Sequence, residues 1–358
     1  MDYRLVTRVC ACALVATLAV PEASRATEDE AKNSIFTENG FEIRRDERLF
    51  TLFAALNAAG FDRAEQARSK PFPRYAFHPL REKVRVAVAG GADKLRVSLD
   101  KFFDAHPESV EAYVKAVMTL TNEPPFASTD QTPHSLVGVD KLLTEFTTNA
   151  KLAKLSKTLA PEYRELFKRL RSVVDGPFAK LRTTYRLSEE DAPNLLLLPN
   201  PLDAPEVALA FRTPEGSHAV VFGLPANDGD PDLKPALKAY SALLAQELST
   251  SVAAAGIDDA LAQLKVRDSL AADVSAETVI RESLKMAVES KLWSKTATRD
   301  AEAAFHHGLL YAPEFLKALD EPVESFPTVK GSFVAQVVAR VDLKKALVDS
   351  EKGQPAEK

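Results

Sequence analysis

Between Asn194 and Leu224 a chain otherwise patterned for helix breaks into three short apolar runs, and this interruption constrains the fold more than any other feature. "NLLLLPNPL" is a continuous apolar run bounded by Asn and Pro, the pattern of a short strand. "EVALAF" and "HAVVFGL" flank "RTPEGS"; β-rich runs around a turn holding Pro214 and Gly216 predict a hairpin. "PANDGDPD" follows as a loop in which Asp230 or Asp232 can cap the next helix. That helix contains "YSALLAQELSTSVAAAG", Tyr240 to Gly256, and Gly256 is placed to end it.

Elsewhere apolar residues recur at helical spacing. "DERLFTLFAALNAAG" predicts a helix capped by Asp46 and stopped by Gly60, with Leu49, Phe50, Phe53 and Leu56 as its stripe. "LRVSLDKFFDA", "SVEAYVKAVMTLT", "SLVGVDKLLTEFTTNA" and "KLAKLSKTLA" continue the pattern, and a further helix starts near Pro161. Beyond the central helix, "IDDALAQLKV", "SAETVIRESLKMAVESKLW", "DAEAAFHHGLLY" and "TVKGSFVAQVVARVDLKKAL" are helical in period. Only 13 glycines in 358 residues fit helices better than a turn-rich sandwich. The expected class is therefore α+β, predominantly helical, with a small, mostly antiparallel sheet preceding one central helix.

The N-terminus has the form of a signal peptide. Arg4 and Arg8 precede the apolar run Val9–Val20, too short to cross a bilayer, and Ser24–Ala26 offers a small-residue cleavage site. Cys10 and Cys12 both lie in that run, so a chain cleaved after Ala26 has no thiol for disulfides, catalysis or zinc. The expected organisation is a signal peptide over 1–26, a flexible leader over 27–40, one domain over 41–348 and a disordered tail over 349–358. Within the domain, a helical part (41–188) precedes the sheet, the central helix and the C-terminal helices (189–348). The protein is expected to be exported, periplasmic or secreted, with no membrane span after cleavage. A formal net charge of −5 gives no electrostatic case for nucleic acid.

Several segments, in order, carry a resemblance: "DERLFTLFAALNAAGFD", "YAFHP", "LLLLPNPL", "HAVVFGLP", "AQELSTSV", "RESLKMAV" and "FPTVKGSF". Their succession is similar to an uncharacterised bacterial family of predicted gluzincin-type zinc metallopeptidases. The resemblance implies a zincin-like domain whose central helix would read H-E-x-x-H, with a later Glu as third zinc ligand. Two His one helical turn apart share a face and reach one Zn²⁺, while the Glu between them deprotonates the metal-bound water. Here the positions matching the two His hold Gln246 and Thr250; Glu247 matches the base and Glu282 the third ligand. An amide and a hydroxyl are weak zinc donors beside imidazole. The implied protein is a pseudoenzyme: metallopeptidase-like, with a degenerate zinc site, no tightly held cofactor, and a cleft for an extended peptide or protein.

Two other readings stand beside it. One is an active metal-dependent hydrolase with a remodelled site using Glu247 and Glu282, helped by His218 from the preceding strand. The other is an unrelated helical envelope binding protein, in which Leu243, Gln246, Thr250 and Ala253 share one face of an ordinary helix while Leu237, Tyr240, Leu244, Leu248 and Val252 supply its apolar side. Glu302 and His306, four residues apart, have metal-pair spacing but more often make a solvated contact, and His307 before Gly308 suits a helix C-terminus.

Overall fold

The computed structural model describes residues 34–60, 77–187, 192–226, 229–250, 252, 275–322, 332–343 and 345. The expected signal peptide and tail, Gly256, and the helix expected over 257–266 lie outside these residues. All described residues fall in one compact unit, Asn33–Lys358.

Strands β1 (Ser34–Phe36) and β2 (Glu42–Arg44) open the described chain. Helix α1 (Glu47–Ala59) follows, with Asp46 accepting from the Arg48 and Leu49 amides and Gly60 closing it at φ 76°. Both caps match their sequence signals. The expected apolar stripe is instead a buried belt, because every residue from Arg48 to Leu56 is shielded. Then come α2 (Pro79–Ala105), α3 (Val110–Val117), a 3₁₀ turn at His134–Leu136, α4 (Val139–Asn149) and α5 (Leu152–Thr184).

Helix α5 runs through Pro161, where the sequence predicted a new helix to start, and on through Pro177. Each proline removes a helical hydrogen bond. Leu159, Tyr163, Phe167, Val174, Phe178 and Leu181 nevertheless form one buried face spanning both prolines, and that burial keeps the helix continuous.

The hairpin appears as predicted: β4 (Ala208–Arg212) pairs antiparallel with β5 (His218–Gly223), Arg212 opposite His218. Strand β3 (Leu195–Asn200) runs parallel to β5 on its other side. The sheet order is β1-β2-β3-β5-β4. β1–β2 and β4–β5 are antiparallel, while β2–β3 and β3–β5 are parallel, so the sheet is mixed rather than mostly antiparallel. Its two extra strands come from a stretch expected to be leader and approach. Three residues each, β1 and β2 are too short to show a period of two. Every residue of β3 and β5 is buried, as central strands require. At the end of β5 a side chain on Gly223 would lie 1.8 Å from the Ala204 carbonyl oxygen, so only glycine fits that crossing.

Helix α6 (Lys234–Ser249) begins where Asp232 accepts the Lys234 amide at 2.9 Å. It ends at Ser249, with Thr250 as its cap, seven residues before Gly256. It packs on β4 and β5 and against α7 (Ala276–Trp293). Helices α8 (Ala297–His306), α9 (Ala312–Asp320) and α10 (Ser332–Arg340) complete the C-terminal layer. One hydrophobic core joins all these parts. The Tyr185 hydroxyl, pushed up from its ordinary value by burial, bonds Ser241 Oγ at 2.7 Å and locks the end of α5 to α6.

Candidate functional site

The hairpin decides which side chains meet α6. Residues directly opposite one another in an antiparallel pair point to the same face, so Arg212 and His218 project together. On α6, Tyr240 and Glu247 are seven residues apart, two turns, and so share a face. The His218 ring sits between them: its Nδ1 lies 3.2 Å from the Tyr240 hydroxyl and its Nε2 lies 3.0 Å from Glu247 Oε2. His218 is fully buried, so it supports the cleft from beneath instead of lining it.

A third element fixes the direction of this chain. Arg182, near the end of α5, donates from Nε to the Tyr240 hydroxyl oxygen at 2.9 Å and also bonds the Pro193 carbonyl. Burial raises the Tyr240 pKa, so it remains a phenol with a proton to give. Arg182 can only donate, so the phenolic proton is directed at His218 Nδ1. That assignment leaves the ring proton on Nε2, facing Glu247. The result is a one-way relay, Arg182 to Tyr240 to His218 to Glu247, ending on a carboxylate. Glu247 Oε1 points the other way, 3.9 Å from Arg212 Nη1.

That second oxygen borders a cleft of about 580 Å³. One side is α6, through Leu243, Gln246, Glu247 and Thr250; the next is β4 and its turn, residues 210–214. The remaining wall comes from Lys115 of α3, Met118 and Thr119 just beyond it, and Gln131 and Pro133. Its loop is tied by Thr129 Oγ1 donating to the Thr119 carbonyl at 2.8 Å. Along β4, alternate backbone groups turn away from β5, and among the described residues no strand pairs with that outer edge.

Of the sequence-predicted residues, Gln246, Glu247 and Thr250 share this cleft, with His218 behind Glu247. Glu282 does not line it. It lies on α7, where Arg281 Nε donates to one carboxylate oxygen at 3.2 Å and Lys285 Nζ to the other at 3.0 Å. Burial pushes the Glu282 pKa up, but these two cations outweigh it and hold the group below its ordinary value. Glu302 and His306 are exposed on α8, and His307 caps that helix through its backbone N–H. Arg182, Tyr240, Arg212 and Lys115 were not singled out by sequence. The i,i+7 spacing of Tyr240 and Glu247, and the hairpin register pairing Arg212 with His218, were signals for two of the four, Tyr240 and Arg212.

The donor set does not suit the zinc that the resemblance implies. The Thr250 hydroxyl is spent on the Gln246 carbonyl at 2.7 Å. Glu247 has one oxygen on His218 and a guanidinium beside the other, where a divalent cation would be repelled. Both nitrogens of His218 are engaged within the relay. Among the described residues no three His, Cys, Asp or Glu side chains converge. Comparisons with protein-family models, curated proteins and solved structures returned no match.

Proposed function

We propose that this is an exported binding protein of metallopeptidase-like organisation, a pseudoenzyme whose cleft receives an extended peptide segment as an added strand on β4. The observation that carries this reading is the coincidence of β4's outer edge with one wall of the cleft. Strand addition draws affinity from backbone hydrogen bonds and specificity from pockets for alternate side chains. Leu243, Met118 and Phe211 supply apolar contact, and Gln131, Gln246 and Thr250 supply polar contact. Glu247, fixed from behind, then serves as an oriented acceptor for a ligand N–H and not as the base of a metal-bound water.

Amide hydrogen exchange on the full chain, with and without a saturating synthetic peptide, tests this. Alternate amides of residues 208–212 are expected to slow on binding while those of β3 stay as they were. Peptide binding that leaves every β4 amide unchanged would contradict strand addition. The hydrolase alternative rests on Glu247 alone, because Glu282 is paired on its own helix. It requires a metal-stimulated peptide cleavage that Glu247→Gln abolishes.

A further inference from the structure

We propose that the segment received by the cleft carries a carboxylate, gripped by Arg212 of β4 within a positive potential to which Lys115 contributes. This inference rests on the strand-addition reading and deepens it by naming the ligand's chemistry. The charged side chains lining the cleft are Lys115, Arg212 and Glu247, so the lining is net positive in a chain of net charge −5. Such a local reversal attracts anionic groups and is sharpened by the low-dielectric walls.

Arg212 has the form of a half-open fork, within ion-pair reach of Glu247 through Nη1 only. Its side chain is 55% exposed, its contact with Glu247 at 3.9 Å is beyond hydrogen-bond range, and it makes no hydrogen bond among the described residues. A guanidinium presents paired N–H groups at the spacing of carboxylate oxygens, which a lysine cannot match. Among the described residues the Lys115 side chain likewise makes no ion pair or hydrogen bond. Glu247 complements this arrangement. Its carboxylate at the base of the cleft disfavours a ligand carboxylate there and directs that group to the exposed side of Arg212. The register of Arg212 on β4 sets where along an added strand the acidic group must fall, because side chains alternate with a period of two.

The test is fluorescence anisotropy on the full chain with three labelled octapeptides of alternating Val and Thr. One carries a central Glu and blocked ends, one a central Gln and blocked ends, and one the Gln with a free C-terminal carboxylate. The Glu peptide is expected to bind about tenfold tighter than the blocked Gln peptide at low salt, the worth of one charge-assisted bond. Arg212→Gln should erase that ratio, and Lys115→Gln should reduce it. If the free-acid peptide shows the preference instead, the carboxylate recognised is the chain terminus, and the Arg212 site stands. Equal binding of all three, or a preference that survives Arg212→Gln, overturns the inference and leaves strand addition intact. No binding by any of the three overturns both.

Discussion

Two buried polar networks meet elements of the cleft, and they end differently. The first, at the start of α1, closes on itself apart from Arg44, which approaches Asp46 Oδ2 at 3.7 Å. Arg48 donates to both oxygens of Asp46, at 3.0 and 2.7 Å, and from Nη1 to the Met118 and Leu120 carbonyls at 2.9 and 3.0 Å. Asp46 also caps α1, and both side chains are almost wholly shielded. The second network, from Arg182 to Glu247, is open: its last oxygen faces the cleft beside Arg212. A closed network is explained by stability alone. An open one has an end that folding does not require, and here that end is turned to a cavity. The two are also connected, because the carbonyls that Arg48 holds belong to the segment forming the cleft's third wall. One network fixes the wall, and the other arms the base.

Breaking the closed network should have the largest effect. Arg48→Leu leaves buried Asp46 with only the more distant Arg44, 3.7 Å away, and should lower stability by about 3 kcal/mol in chemical denaturation. The same pair predicts an acid limb. Burial pushes the Asp46 pKa up, but Arg48, Arg44 and the Leu49 amide outweigh it and hold it below its ordinary value. The resulting stability is fully present above the unfolded value near 3.8 and is lost as pH falls through the depressed folded value. Wild-type protein should show this loss, and Arg48→Leu should flatten it.

The open network should be less costly to break. His218→Leu strands the Tyr240 proton and uncovers Glu247 Oε2, but Glu247 can turn to water at the cleft. The expected loss is about 1–3 kcal/mol in the same denaturation assay. Smallest is Glu247→Gln, which keeps an acceptor for His218 and should change stability by less than about 1 kcal/mol. If Glu247→Gln proved as damaging as Arg48→Leu, the carboxylate would be a structural member, and the contrast between the networks would fail.

What the sequence revealed follows the range of each signal. Local chemistry was readable: Asp46 and Gly60 around α1, the Pro214–Gly216 turn, and Asp232 ahead of α6. Long-range balance was not. Three-residue strands β1 and β2 carry no period, and the continuity of α5 across Pro161 depends on burial against distant partners. The end of α6 at Ser249 was also missed, since no helix breaker stands before Gly256. At the site, Gln246, Glu247 and Thr250 were found as the positions matching the resembled family's motif, and His218 from its place on the preceding strand. Tyr240 was read as part of an apolar face, which its ring satisfies, while its hydroxyl accepts from Arg182, 58 positions away. Arg212 sits in plain hairpin register with His218, but its nearness to Glu247 also needs α6 to pack across that hairpin.

The central claim is that this cleft lacks the donors to hold zinc. Elemental analysis of the purified full chain after dialysis against zinc tests it most directly. The account predicts far less than one zinc per chain, and one tightly retained zinc per chain would contradict it.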